Sequence, residues 1–83
     1  MATKAQELAG LKNRTTCLGK ADDDEPLFVL RAQDKLMPTV VRNWKELALF
    51  HGLPYERQAD CDALIRAAED WQRIHYTSVK FPD

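Results

Sequence analysis

The sequence contains no apolar run near the roughly 20 residues that a membrane-spanning helix needs, and it has only two cysteines in 83 residues. No segment with the charge and apolar pattern of a secretory signal is visible. We therefore expect a soluble protein in a reducing cytoplasm, where Cys17 and Cys61 stay free thiols. Hydrophobic residues make up 45% and charged residues 30% of the chain, which is typical of a globular protein rather than a disordered one.

An excess of basic charge is also missing. Twelve basic residues balance thirteen acidic ones, so the formal net charge is -1. A protein that binds duplex DNA normally carries a basic surplus that releases counterions from the phosphates. DNA binding is therefore the third of our hypotheses. It would use a helix-turn-helix built on residues 38–50 and the next helix, with Arg42, Asn43 and Lys45 facing the DNA groove.

Recognised signatures of catalysis and metal binding are absent from the sequence. The segment CLGKA has one glycine and one lysine, too few for a phosphate-binding loop. Two cysteines and two histidines lie without the spacings of a zinc site, and the acidic run at 22–25 lacks the spaced ligands of a calcium loop. We predict no catalytic residues, no metal and no cofactor, and hence a protein that is not an enzyme.

Strand-like alternation is absent, whereas helical periodicity appears in three places. Residues 2–14 are rich in helix formers but have a narrow apolar stripe. Residues 37–54 begin with a proline and end at Gly52 and Pro54, the expected start and stop signals. Residues 54–76 again begin with a proline. The apolar faces predicted for the second and third of these helices are Val40, Val41, Trp44, Leu47 and Ala48, and Cys61, Leu64, Ile65, Ala67, Ala68, Trp71 and His75.

The secondary structure of the segment DDDEPLFVLRAQDKL is the hardest in the chain to predict. Residues 14–25 favour a loop, and the acids followed by Pro26 are typical of a helix start. Leu27–Leu30 have the composition of either a short buried strand or a helix. We predict a helix from Pro26 to Lys35, because no second strand is available to pair with a first.

These elements predict an all-α fold, a compact bundle of three to four short helices in a single domain spanning residues 1–83. Residues 1–13 would form a peripheral or subunit-docking helix. So short a chain buries a small core, and we expect self-association to complete it. The tail TSVKFPD should fray unless Val79 and Phe81 dock.

Polar residues crowd against the most apolar run. On a helix, Arg31, Asp34 and Lys35 would point the same way, either as a solvated surface pair or as a site whose guanidinium grips a phosphate or carboxylate. In the second case Gln33 and Asp34 would orient a nucleotide-like ligand. An aromatic ring, from Phe28, Trp44 or Tyr55, would stack on it. The predicted ligand-binding residues are Lys20, Phe28, Arg31, Gln33, Asp34, Lys35 and Trp44.

The strings CLGKADDDEPLFVLRAQDKLMP and VVRNW, with the terminal KFPD, resemble a small family of phage and prophage proteins. The likeness covers most of the chain beyond residue 14 and includes Arg31, Gln33 and Asp34. It implies an intracellular helper of infection, an inhibitor that evades host defence by sequestering a signalling nucleotide or blocking a host protein.

Our leading hypothesis is therefore a non-enzymatic helical binding module that sequesters a nucleotide-like signal or occludes a host protein. The alternative is a protein-interaction module without a small ligand, in which the first helix and LFVL supply an exposed apolar patch.

Overall fold

The computed structural model describes residues 3–81, and the arrangement is all-α, as predicted. Four helices form a compact arrangement: α1 (Lys4–Ala9), α2 (Cys17–Lys20), α3 (Met37–Phe50) and α4 (Tyr55–Ile74), followed by a 3₁₀ turn (Tyr76–Ser78). Within the described range no strand forms, apart from one isolated parallel bridge between Asp34 and Lys80. Residues 1–2 of the predicted first helix and residues 82–83 of the predicted tail lie outside the described residues.

α3 and α4 form an antiparallel hairpin, and the start and stop signals of the sequence are confirmed here. Gly52 has φ +90, a conformation that favours glycine, and the Leu53 N–H donates to the Ala48 carbonyl at 2.9 Å. Pro54 then precedes the first turn of α4. This connection lets the two helices pack directly on each other.

The hydrophobic core lies between α3 and α4. Met37 and Val41 from α3 meet Ile65 and Ala68 from α4, and partly buried Leu30, Ala32 and Leu64 pack around them. Cys61 is almost fully buried and both cysteines are free thiols. The predicted α4 stripe is confirmed at Cys61, Ile65 and Ala68, whereas Ala67 and His75 are exposed.

The N-terminal part folds into two short helices, so two of our predictions are wrong there. α1 ends at Ala9 instead of continuing to residue 14, and α2 forms inside the predicted loop of residues 14–25. Thr16 accepts a hydrogen bond from the Gly19 N–H and starts α2. A Cβ on Gly19 would lie 2.3 Å from the Gly10 carbonyl oxygen, so the two segments meet where glycine alone fits.

The predicted helix from Pro26 to Lys35 does not form, which corrects the prediction on which our ligand site was built. The acidic run makes a turn, in which the Glu25 N–H donates to the Asp22 carbonyl at 3.1 Å, rather than a helix start. Leu27–Leu30 follow as an open stretch without helical or turn hydrogen bonds.

Residues 32–35 are instead held from two sides by distant parts of the chain. The Gln72 Nε2 donates to the Ala32 carbonyl at 3.0 Å and to the Asp34 carbonyl at 2.9 Å. Lys80 pairs its backbone with Gln33 and Lys35, both at 3.1 Å. We call these bonds the clasp. They take backbone groups that a helix would need for its own ladder, so tertiary contacts override local preference.

The C-terminal tail is docked by the same contacts, as far as residue 81. Val79 is half-buried and Lys80 belongs to the clasp. Phe81 remains largely exposed beneath the ammonium of Lys35, which lies 4.9 Å from its ring centroid.

Candidate functional site

Asp34, predicted to orient a ligand, is engaged in the start of α3. It is 8% exposed, and its Oδ1 accepts a hydrogen bond from the Leu36 N–H at 2.9 Å while its carbonyl receives the Met37 N–H. An aspartate that bonds the backbone two residues on is a common way to turn the chain into a helix. The carboxylate therefore serves α3 and does not pair with Arg31.

Arg31 and Gln33 differ from each other in environment. The Arg31 side chain is exposed and makes no ion pair within residues 3–81. The Gln33 Nε2 is buried and finds no acceptor among the described residues; such an unpaired donor costs about 1–3 kcal/mol. Arg31, Gln33 and Asp34 therefore differ in burial and in partners.

The remaining predicted residues lie at separate surfaces. Lys35 lies over Phe81, and the Lys20 carbonyl accepts a hydrogen bond from Arg14 at 2.9 Å. Phe28 is 85% exposed. Trp44 lines a cavity of about 80 Å³ together with Arg57, Asp60 and Cys61, far below the several hundred Å³ of a typical ligand pocket.

A larger open groove of about 600 Å³ runs between α3 and α4, and none of the seven predicted residues lines it. It is lined by equal numbers of basic and acidic side chains, and two ion pairs cross it. Arg42 bonds Glu69 at 2.9 Å, and Lys45 bonds Asp62 at 2.5 Å. A groove with matched charges has little net attraction for an anionic ligand. Neither cavity therefore has the character of the nucleotide site that the sequence suggested.

The outer face of α3 carries a row of exposed apolar side chains, and the sequence placed three of them, Val40, Trp44 and Leu47, on one predicted apolar face. Four residues at spacings of four, four and three lie along one side of the helix. α4 covers Val41 and leaves these four open, Trp44 at 54% and Leu47 at 66% exposure. We call this the α3 row; its members are Leu36, Val40, Trp44 and Leu47.

A second apolar surface is formed by Leu27, Phe28 and Val29, which we call the 27–29 strip. Phe28 and Val29 are 85% and 75% exposed. The backbone groups of the strip have no hydrogen-bond partner within residues 3–81. The strand-like composition of LFVL was the signal for it in the sequence.

The total accessible surface is large for the length of the chain. It measures 6850 Å², whereas a folded monomer of this mass exposes roughly 5,000 Å². Since a standard interface removes on the order of 800 Å² from each partner, the surplus equals about two such interfaces. The α3 row and the 27–29 strip contribute exposed apolar side chains to this surface, and such side chains mark places where a protein meets another surface.

Three comparisons with known proteins return nothing: no family model, no curated protein and no solved structure matches this chain. No helix in the described part is long and apolar enough to span a membrane. Within the same residues, no group of three or more acidic, histidine or cysteine side chains is placed to hold a metal ion.

Proposed function

We propose that the chain is a non-enzymatic protein-binding module that occludes an apolar groove on a host protein with the α3 row. The observation that carries this proposal is the half-covered face of α3. A helix fixed to its own domain along one edge presents four large apolar side chains to solvent along another.

The α3 row has the features of helix-in-groove recognition. Anchors one turn apart along a helix are the pattern that such grooves accept, and the row spans about 16 Å from its first to its last member. Trp44 lies within it, and tryptophan is among the residues that most often dominate binding energy.

α3 is also a rigid support for this row. The clasp and the Asp34 hydrogen bond fix its first turn, and the α4 contacts hold its other side. Because the helix is already ordered, binding does not have to offset the entropy of forming it. The resemblance to phage proteins agrees with a host protein as the partner, and occlusion requires no chemistry beyond surface complementarity.

Site-specific photo-crosslinking tests this proposal. A benzophenone amino acid replaces Leu47 in one variant and Glu46 in a matched control, since Glu46 is exposed on the same helix but lines the α3–α4 groove. Irradiation in a bacterial host lysate should give a discrete crosslinked protein from position 47 and not from position 46. In addition, Trp44→Ala should weaken binding of that purified protein at least 30-fold, as expected for a central anchor.

Two results would count against the proposal. Equal crosslinking from both positions would show that the α3 row is not the contact surface. Calorimetry that finds a cyclic dinucleotide or an ADP-ribose derivative binding equally well to wild type and Trp44→Ala would favour the small-ligand hypothesis instead.

A further inference from the structure

The 27–29 strip has the chemistry of an unpaired edge strand. Its aromatic and β-branched residues favour sheets, and its backbone N–H and C=O groups lack partners in the described part of the chain. Acids and a proline precede it, and Arg31 follows it. Such flanking residues commonly restrain a strand that would otherwise pair without limit. The strip can therefore pair with one more strand, while the flanking residues limit further strand addition.

We propose that the occupant is a second copy of this chain. The strips of two molecules pair antiparallel about a two-fold axis, with Phe28 opposite the same residue of the second copy. This interface uses residues distinct from the α3 row, so it stands independently of the proposed function.

Charge complementarity favours the antiparallel direction and fixes the register. The strip is acidic on its N-terminal side and basic on its C-terminal side, so antiparallel copies bring opposite charges together, whereas parallel copies align like charges. With Phe28 on the axis, Glu25 lies opposite Arg31 and Leu27 opposite Val29. Two Glu25–Arg31 pairs then flank an apolar centre, and Arg31, which makes no ion pair within residues 3–81, gains one.

Pro26 supports the same register. In an antiparallel pair, positions alternate between hydrogen-bonded and non-hydrogen-bonded. If the two Phe28 residues form a non-hydrogen-bonded pair, Leu27 and Val29 exchange the backbone bonds and Pro26 falls at a position whose nitrogen faces away from the partner. A proline is tolerated there. Because it removes a donor from the outer edge, it also opposes addition of a third strand.

The surface area of the chain is consistent with this second contact. The surplus over a compact monomer is on the order of twice what one standard interface removes per partner. Pairing of the three-residue strips removes only part of one such share, and it leaves the α3 row exposed.

Disulfide trapping tests the register. Phe28→Cys is made in a Cys17→Ser background, because Cys17 is exposed while Cys61 is buried. Non-hydrogen-bonded partners lie about 4.5 Å apart at Cα, within disulfide range. Phe28→Cys should therefore form a covalent dimer under a mild thiol redox buffer. Leu27→Cys and Val29→Cys, the matched controls, should each form no disulfide-linked dimer alone and should crosslink when mixed, since these two positions face each other.

A charge swap provides a test that keeps Phe28. By sedimentation equilibrium, Glu25→Arg and Arg31→Glu should each weaken the dimer on the order of tenfold, because each places two like-charge pairs at the interface. The double variant should restore wild-type affinity. A wild-type chain that stays monomeric at millimolar concentration, equal trapping from all three cysteine positions, or a double variant as weak as the single ones would each overturn the proposal.

Discussion

Ile65→Ala is expected to lower the free energy of unfolding by about 3 kcal/mol, because truncating a buried isoleucine removes apolar contact and leaves a cavity. Ile65 is 6% exposed and lies between α3 and α4 in a core of few residues. A small domain has a total stability of only about 5 kcal/mol or slightly more, so most of the margin should disappear. Chemical denaturation followed by circular dichroism measures the change.

The matched control for Ile65→Ala is Ile74→Ala, the same substitution in the same helix at a position that is 69% exposed. It should change the free energy of unfolding by less than about 0.5 kcal/mol. All three proteins must be compared at one concentration, since self-association would add to apparent stability. Similar losses for the two variants would mean that α4 does not bury the face described here.

Gln72→Met is expected to lower the free energy of unfolding by about 2 kcal/mol. It removes both Gln72 bonds of the clasp, which leaves the Ala32 carbonyl without a donor and the Asp34 carbonyl with the Met37 N–H alone. Methionine keeps the length and the helix preference of the side chain. Loss of these two bonds should also loosen residues 32–35, so their amide protons should exchange faster than in wild type, although the Lys80 bonds of the clasp remain. Denaturation and hydrogen exchange by NMR report the two effects separately.

Gln58→Met is the control for Gln72→Met, because Gln58 is half-buried on the same helix and bonds neither carbonyl. It should leave both stability and the exchange rates of residues 32–35 nearly unchanged. If the two variants behave alike, the Gln72 bonds of the clasp do not hold this segment.

α3 and α4 are predictable from the sequence because their signals are local. Pro38, Gly52 and Pro54 mark the ends by their own backbone preferences, and the apolar period lies within each helix. Local information also predicted the all-α class, since no second strand is available for Leu27–Leu30.

The conformation of residues 26–35 was not predictable in the same way. The donor that holds Ala32 is Gln72, forty residues further along the chain, and Lys80 is more distant still from its partners. No feature of the sequence within the segment indicates these bonds. The predicted arrangement of Arg31, Asp34 and Lys35 is absent for the same reason, because it required these residues to share the face of a helix that does not form.

The α3 row shows a different limit. Periodicity correctly grouped Val40, Val41, Trp44, Leu47 and Ala48 on one broad apolar face, but periodicity does not state what covers that face. Within this chain α4 offers Cys61, Ile65 and Ala68, mostly small side chains. They cover one edge only, which leaves Val40, Trp44 and Leu47 exposed.

The central claim is that α3 keeps an apolar face that its own chain does not cover. The most direct test is the solvent exposure of Trp44 in the free protein. Trp71→Phe leaves Trp44 as the sole tryptophan, and acrylamide quenching is measured at a concentration where the protein is monomeric. The account predicts strong quenching and the long-wavelength emission of a solvated indole. Weak quenching with short-wavelength emission would show that the face is already covered and would contradict the account.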